Sequence, residues 1–179
     1  MTFSQRIILV MTVLLATIGF DQLTKMLAAL HLASSPPISF LNDLVRLQYA
    51  ENSGIMLSLG STLPEWVRFW LFTVVVGILL FILLLYTLFD RSLDRPQMIA
   101  LSLMTGGGMG NLFDRIVRDG TVIDFLSVGF GDFRTAVFNV ADMVVFAGVI
   151  LMVLHRRSHE TDGDKPTDPH TQPPNENTP

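Results

Sequence analysis

The chain has 179 residues, 50% of them hydrophobic and only 16% charged, with a mean hydropathy of +0.48. A soluble domain carries roughly 25% charged residues, so these figures argue for a membrane protein. A net charge of −4 gives no basic footprint for nucleic acid, and the lack of cysteine excludes disulfides, thiolate metal sites and a cysteine nucleophile.

The apolar residues come in blocks, four of them long enough to cross a bilayer, which takes about 20 residues. The first predicted span is 7–29, uncharged to Phe20 and then carrying Asp21 and Lys25. Arg6 and the apolar run after it have the layout of a secretory signal peptide. However, "DQLTK" stands where a small-residue cleavage site should follow, so a retained span is expected. Asp21 and Lys25 sit at i and i+4 and can pair. They form either a self-neutralised pair near the helix end, with Lys25 snorkelling to the surface, or a brace for a site.

The loop at 30–66 alternates apolar and polar residues around Val45–Tyr49 and carries a turn signal at "ENSG", which predicts strand, turn, strand. The second span, 69–89, is uncharged throughout. The third, 96–116, contains "TGGGMGNLFDR". Its glycines let helix backbones approach closely, and Gly106 and Gly110 have small-xxx-small spacing. Asn111 and Arg115 follow one turn apart, with Asp114 beside them. Arg115 is either a headgroup anchor or a planar donor fork for a carbonyl or an anion.

The loop at 117–134 holds a second β-type run, Thr121 to Val128. The fourth span, 135–155, contains Asn139 and, about two turns in, Asp142. The segment 158–179 carries five of the nine prolines and no large apolar residue, which predicts a disordered tail. The expected architecture is thus a membrane α-helical domain at 1–157. It has four transmembrane helices and a small extracytoplasmic sheet.

Four spans put both termini on one side. With the termini inside, the Lys and Arg count is 6 against 6 and does not decide orientation. The inside charges sit in short flanks, "DRSLDR" and "HRR", which favours cytoplasmic termini.

Charges inside a membrane are costly and mark function. Asp124 lies in an apolar stretch before the fourth span, and a loop returning to the membrane would bring it to Asp142. Two close carboxyls cannot both ionise easily and share a proton, the arrangement of an aspartic protease. Asn139, at i−3, would orient Asp142 from the same helical face. Spacing leaves alternatives open. One is a Ser-Lys dyad of Lys25 with Ser58 or Ser102. Another is a divalent-metal site on Asp114, Asp124 and Asp142. A third is a proton relay or transporter, which the lack of internal repeats disfavours. Three of the four histidines lie in the C-terminal flank or tail, so a His-based metal site or triad is not expected.

The ordered set "DQLTK", "ENSG", "GGGMGNLFDRI", "VIDF" and "FNVADM" resembles the lipoprotein signal peptidase family, also called signal peptidase II, over about residues 7–155. The resemblance implies an intramembrane aspartyl endopeptidase. It would cut the signal peptide from diacylglyceryl-modified prolipoproteins just before the lipidated cysteine. Asp124 and Asp142 match the family's catalytic pair. Asn52, Gly54, Asn111, Arg115 and Asn139 match site-lining positions; Asp21, Lys25 and Asp114 match supporting ones. A periplasmic β-cradle, an inner-membrane location, cytoplasmic termini, an active site near the outer face and a monomeric state are expected. Membrane lipid and prolipoproteins are the expected partners, with no metal or organic cofactor. The family usually has a sequence near "GAAFS" after the Asn-x-Gly turn; here Ile55, Met56 and Leu57 stand there. That departure leaves open a specialised or non-cleaving paralogue that binds lipidated clients.

Overall fold

A computed structural model describes residues 1–54, 60, 62–131 and 133–163, with backbone only from 158 onward. Ile55, Met56 and Leu57 lie outside the described residues, as does the tail from 164. Among the described residues there are four long helices and one sheet. The helices are α1 (Phe3–Leu32), α2 (Glu65–Phe89), α3 (Arg95–Val117) and α4 (Val140–Gly163).

The helix starts follow local chemistry. Thr2 caps α1 and exchanges hydrogen bonds with Gln5 (Thr2 N to Gln5 Oε1, 3.0 Å; Gln5 N to Thr2 Oγ1, 3.3 Å). Asp94 and Gln97 repeat this reciprocal arrangement at the start of α3, with Pro96 in its first turn. α2 is wider just after its first turn: Phe69–Val75 is π-helical before the regular α-helix resumes at Val76. The last helix starts later than the apolar block suggests, because Phe138 still pairs with strand residue Leu126. It also continues to Gly163, six residues past Arg157 and into the segment assigned to the tail.

The helices are inverted relative to a soluble bundle. Large apolar side chains face outward, among them Ile78, Leu79, Phe81 and Ile82 of α2 and Phe146 of α4. Asp21, Lys25, Thr87, Asp114 and Asn139 are fully enclosed. An exposed apolar surface of this extent belongs in lipid. Among the described residues two helices, α1 and α2, are long and apolar enough by themselves to cross a membrane. Polar groups and glycines lower the hydropathy of α3, and α3 packs against the other three helices. A Cβ on Gly107 would lie 2.5 Å from the Ala141 carbonyl oxygen of α4, and one on Gly106 would lie 3.0 Å from Thr17 of α1. The small side of α3 is therefore what lets α1 and α4 close around it.

Four antiparallel strands, β1 (Ile38–Phe40), β2 (Val45–Asn52), β3 (Val122–Phe130) and β4 (Phe133–Arg134), pair in chain order. The β1–β2 hairpin turns at Leu41, Asn42 and Asp43, all with positive φ, rather than at "ENSG". Asn and Asp tolerate that conformation, and Asp43 then binds Ser39 and Arg46. "ENSG" closes β2 in a tight turn of its own, with Gly54 N donating to Asn52 Oδ1 at 2.9 Å. The sheet rests on the C-terminal part of α1, where Ala28 and Leu32 pack with Ile123.

Candidate active site

The β2–β3 register sets the first half of the site. Leu47 faces Leu126, but Ala50 faces Asp124, so β2 carries one extra residue between them. Such a bulge flips which side chains share a face. Asn52 thereby falls on the face of Asp124 and donates from Nδ2 to its Oδ2 at 2.9 Å.

The second half is the start of α4. Asn139 is not part of that helix, and Asp142 is its third residue rather than two turns in. The i, i+3 spacing is that of a capping box: Asp142 N donates to Asn139 Oδ1 at 3.0 Å, and Asn139 N donates to Asp142 Oδ2 at 3.2 Å. With its oxygen committed to the helix, the Asn139 amide nitrogen points the other way and donates to Asp124 Oδ1 at 2.6 Å. Asn139 therefore holds Asp142 through its backbone and Asp124 through its side chain. One residue links both carboxyls.

A charged hub behind these residues fixes the remaining amide. Lys25 is fully buried and does not snorkel. Its Nζ lies 2.8 Å from Asp21, 3.0 Å from Asp114 and 2.8 Å from Asn111 Oδ1. Asn139 Nδ2 also donates to Asn111 Oδ1, at 3.0 Å. With two donors on its oxygen, Asn111 turns its nitrogen to Asp142 Oδ1, at 2.9 Å. Asp21 reaches across to accept from Ala141 N at 2.9 Å, tying α1 to the first turn of α4. It also explains Gly110, where a Cβ would lie 2.6 Å from Asp21 Oδ2. Asp114 accepts from Ile123 N at 3.3 Å, beside Asp124 in β3. Its oxygens are shared among Lys25, Gln22, Arg118 and this amide. Arg115 donates to the Gly54 carbonyl at 2.8 Å and so holds the "ENSG" turn against α3.

All ten residues singled out from the sequence are thus joined, directly or through one partner, in a single network at one end of the helices. Gln22 was missed. It donates to Asp114, Asp21 and the Gly110 carbonyl, and its only sequence signal was its place inside "DQLTK".

A cavity of about 660 Å³ opens beside the network. Asn52, Asn111, Arg115, Asp124, Asn139 and Asp142 form its polar wall; Val76, Phe138, Met143, Phe146 and Ile150 line the apolar remainder. Asp124 is only 3% exposed. Burial raises its pKa, the Asn52 hydrogen bond opposes this, and the nearby Asp142 charge raises it again, leaving a value of about 6. The two carboxyls are close enough to feel each other, and one of them holds a proton into the weakly acidic range.

The family sequence model for signal peptidase (SPase) II matches residues 13–156. The chain belongs to the signal peptidase II family. Similar relatives include the lipoprotein signal peptidases of Sphingopyxis alaskensis (37% identical, covering 74% of this chain and 76% of that one) and Photorhabdus laumondii (35%, covering 82% and 83%). That of Syntrophus aciditrophicus is 34% identical, covering 75% and 83%. The fold matches a bacterial membrane enzyme solved by the in meso method at 2.3 Å resolution, with a TM-score of 0.70 at 24% identity over 92% of this chain and 94% of that one. As a member of this family the chain is a membrane-bound protease that removes signal peptides from prolipoproteins. A client-binding protein that does not cut is the disfavoured reading.

Proposed function

We propose that this signal peptidase is an intramembrane aspartic endopeptidase with Asp124 and Asp142 as its catalytic pair. The observation that carries this is the amide bridge: Asn139 bonds both carboxyls at the polar end of an otherwise apolar cavity. Asp124, enclosed and with a raised pKa, holds the shared proton and polarises the scissile carbonyl. Asp142, half-buried at the cavity wall, takes a proton from the attacking water. The water oxygen bonds to the carbonyl carbon, and the proton taken up passes to the departing amine as the C–N bond breaks.

Four helices cross the bilayer, both termini lie in the cytoplasm and the pair sits near the outer face. Ion pairing supports this orientation. Of the six cations on the outer side, Lys25, Arg46, Arg118 and Arg134 are bound to carboxylates. They count for less than their number in the positive-inside balance. The apolar cavity wall receives the signal helix and the diacylglyceryl group of the precursor, placing the bond before the lipidated cysteine at the carboxyls. Asp21, Lys25 and Asp114 position Asn111 and the start of α4, while Asn52, Gly54 and Arg115 border the substrate. The enzyme acts as a monomer on lipid-embedded precursors.

Processing of a diacylglyceryl-modified precursor in proteoliposomes tests the pair. Asp124→Asn and Asp142→Asn each reduce cleavage by about 10³-fold or more, within the range for loss of acid–base catalysis. Full activity in either variant sinks the dyad.

A further inference from the structure

The end of the bundle opposite the carboxyls holds a second cavity, of about 780 Å³. Three arginines line it: Arg6 from α1, and Arg91 and Arg95 from the α2–α3 connection and the first residue of α3. Arg6 is 6% exposed. Its Nη2 donates to the carbonyls of Thr87 (2.9 Å) and Asp90, clasping the end of α2, while its buried Nε has no partner among the described residues. Arg91 and Arg95 are exposed and make no ion pair among the described residues.

Of the nearby carboxylates, Asp94 also lines the cavity, and both it and Asp90 have partners of their own. Asp90 accepts from Ser92 N at 2.8 Å and Ser92 Oγ at 2.7 Å. Asp94 caps α3 through Gln97 N and pairs with His155 at 2.5 Å. Apolar residues form the rest of the wall beside Asp94: Phe3 stacks on Phe89 with ring centroids 5.8 Å apart, and Leu88 and Leu93 lie beside them. Both rings of that stack are more than half exposed, on the surface that faces lipid.

A pocket with arginines on one side and aromatic and aliphatic side chains on the other fits a phosphate joined to acyl chains. We infer that this cavity binds the headgroup of an anionic phospholipid from the leaflet on the side of the chain termini. The guanidiniums hold the phosphate, bidentate geometry being open to Arg91 and Arg95. The acyl chains run down the Phe3–Phe89 surface. A bound lipid joins α1 to the α2–α3 connection, far from the carboxyls, so it stabilises the fold without touching the chemistry.

The test uses the full chain in mild detergent, exposed to equal amounts of phosphatidylglycerol and phosphatidylcholine and examined by native mass spectrometry. Wild type retains phosphatidylglycerol in preference. The Arg91→Gln/Arg95→Gln variant, whose changes fall on exposed side chains and spare the Arg6 clasp, loses that preference by about thirtyfold, each basic residue near an anionic headgroup being worth roughly fivefold. Its precursor cleavage in phosphatidylcholine vesicles stays at the wild-type level. Unchanged phosphatidylglycerol retention in the double variant overturns the inference. So does full displacement of the lipid by millimolar inorganic phosphate, which would mark a site for a free anion.

Discussion

Helices α2 and α3 are close in length and pack against each other, yet they serve opposite ends. The main apolar window of α2 has a mean hydropathy of 2.8, and only 11% of it is buried. Its side chains are directed at lipid, and a single residue of its regular segment, Thr87, is fully enclosed. α3 buries Met98, Ala100, Ser102, Thr105, three glycines and Asp114. It touches every other helix and supplies Asn111 to the carboxyl network. In this fold the most hydrophobic helix is the least informative about function. The least hydrophobic ones carry the site, because a bilayer-embedded bundle turns its polar groups inward.

That contrast can be broken by substitution. Lys25→Met strips the hub of its fully buried cation and leaves Asp21 and Asp114 enclosed together. It lowers stability by about 3–5 kcal/mol, read as a large drop in the unfolding midpoint in detergent. A shift of less than a degree would show the hub to be dispensable. Next comes Gly107→Leu on α3, where the first added carbon meets the Ala141 carbonyl and, at 2.7 Å, the Val145 side chain. It costs about 1–3 kcal/mol and impairs cleavage, because α4 is pushed away from α3. Gly19→Ala on α1, which has nothing within 4 Å of the new carbon, is the matched control without loss.

Proton linkage sharpens the comparison more finely. Asp124 binds its proton more tightly folded than unfolded. Its contribution to stability therefore declines as pH rises from the ordinary aspartate value of 3.8 to about 6, by about 3 kcal/mol in total. With Asp124 as the proton carrier, kcat/KM for precursor cleavage falls as pH rises through about 6. Asn52→Leu removes an amide that favours the charged form, and the falling limb moves up by about one pH unit. A downward move would mean that Asn52 acts on Asp124 in some other way. At the small end, Leu79→Ala on the lipid face of α2, 58% exposed, changes stability by no more than about 0.5 kcal/mol.

Much of this was legible in the chain. The apolar blocks marked the helices, and enclosed charges marked the site because a membrane penalises them everywhere else. What periodicity could not supply was the start of α4. Asn139 and Asp142 lie one turn apart whether they share a helical face or form a cap, and only the Phe138–Leu126 bridge decides that the helix has not yet begun. The hairpin turn falls not at "ENSG" but at 41–43, where Asn42 and Asp43 are residues that accept positive φ. The bulge in β2 leaves no trace in alternation, since it depends on the partner strand. Lys25 gave no sign of full burial because its second carboxylate, Asp114, is distant in sequence and arrives only with the fold.

In the proposed mechanism, the turn at Asn52 would tie substrate entry to the protonation of Asp124. Its side chain closes the turn with one atom and holds Asp124 with the other, while Arg115 grips the same turn from α3. A peptide that wedges this turn away from α3 pulls one of two amide donors off the buried acid. Under that proposal, loading the cleft and resetting the proton would be one mechanical event, transmitted through a single asparagine.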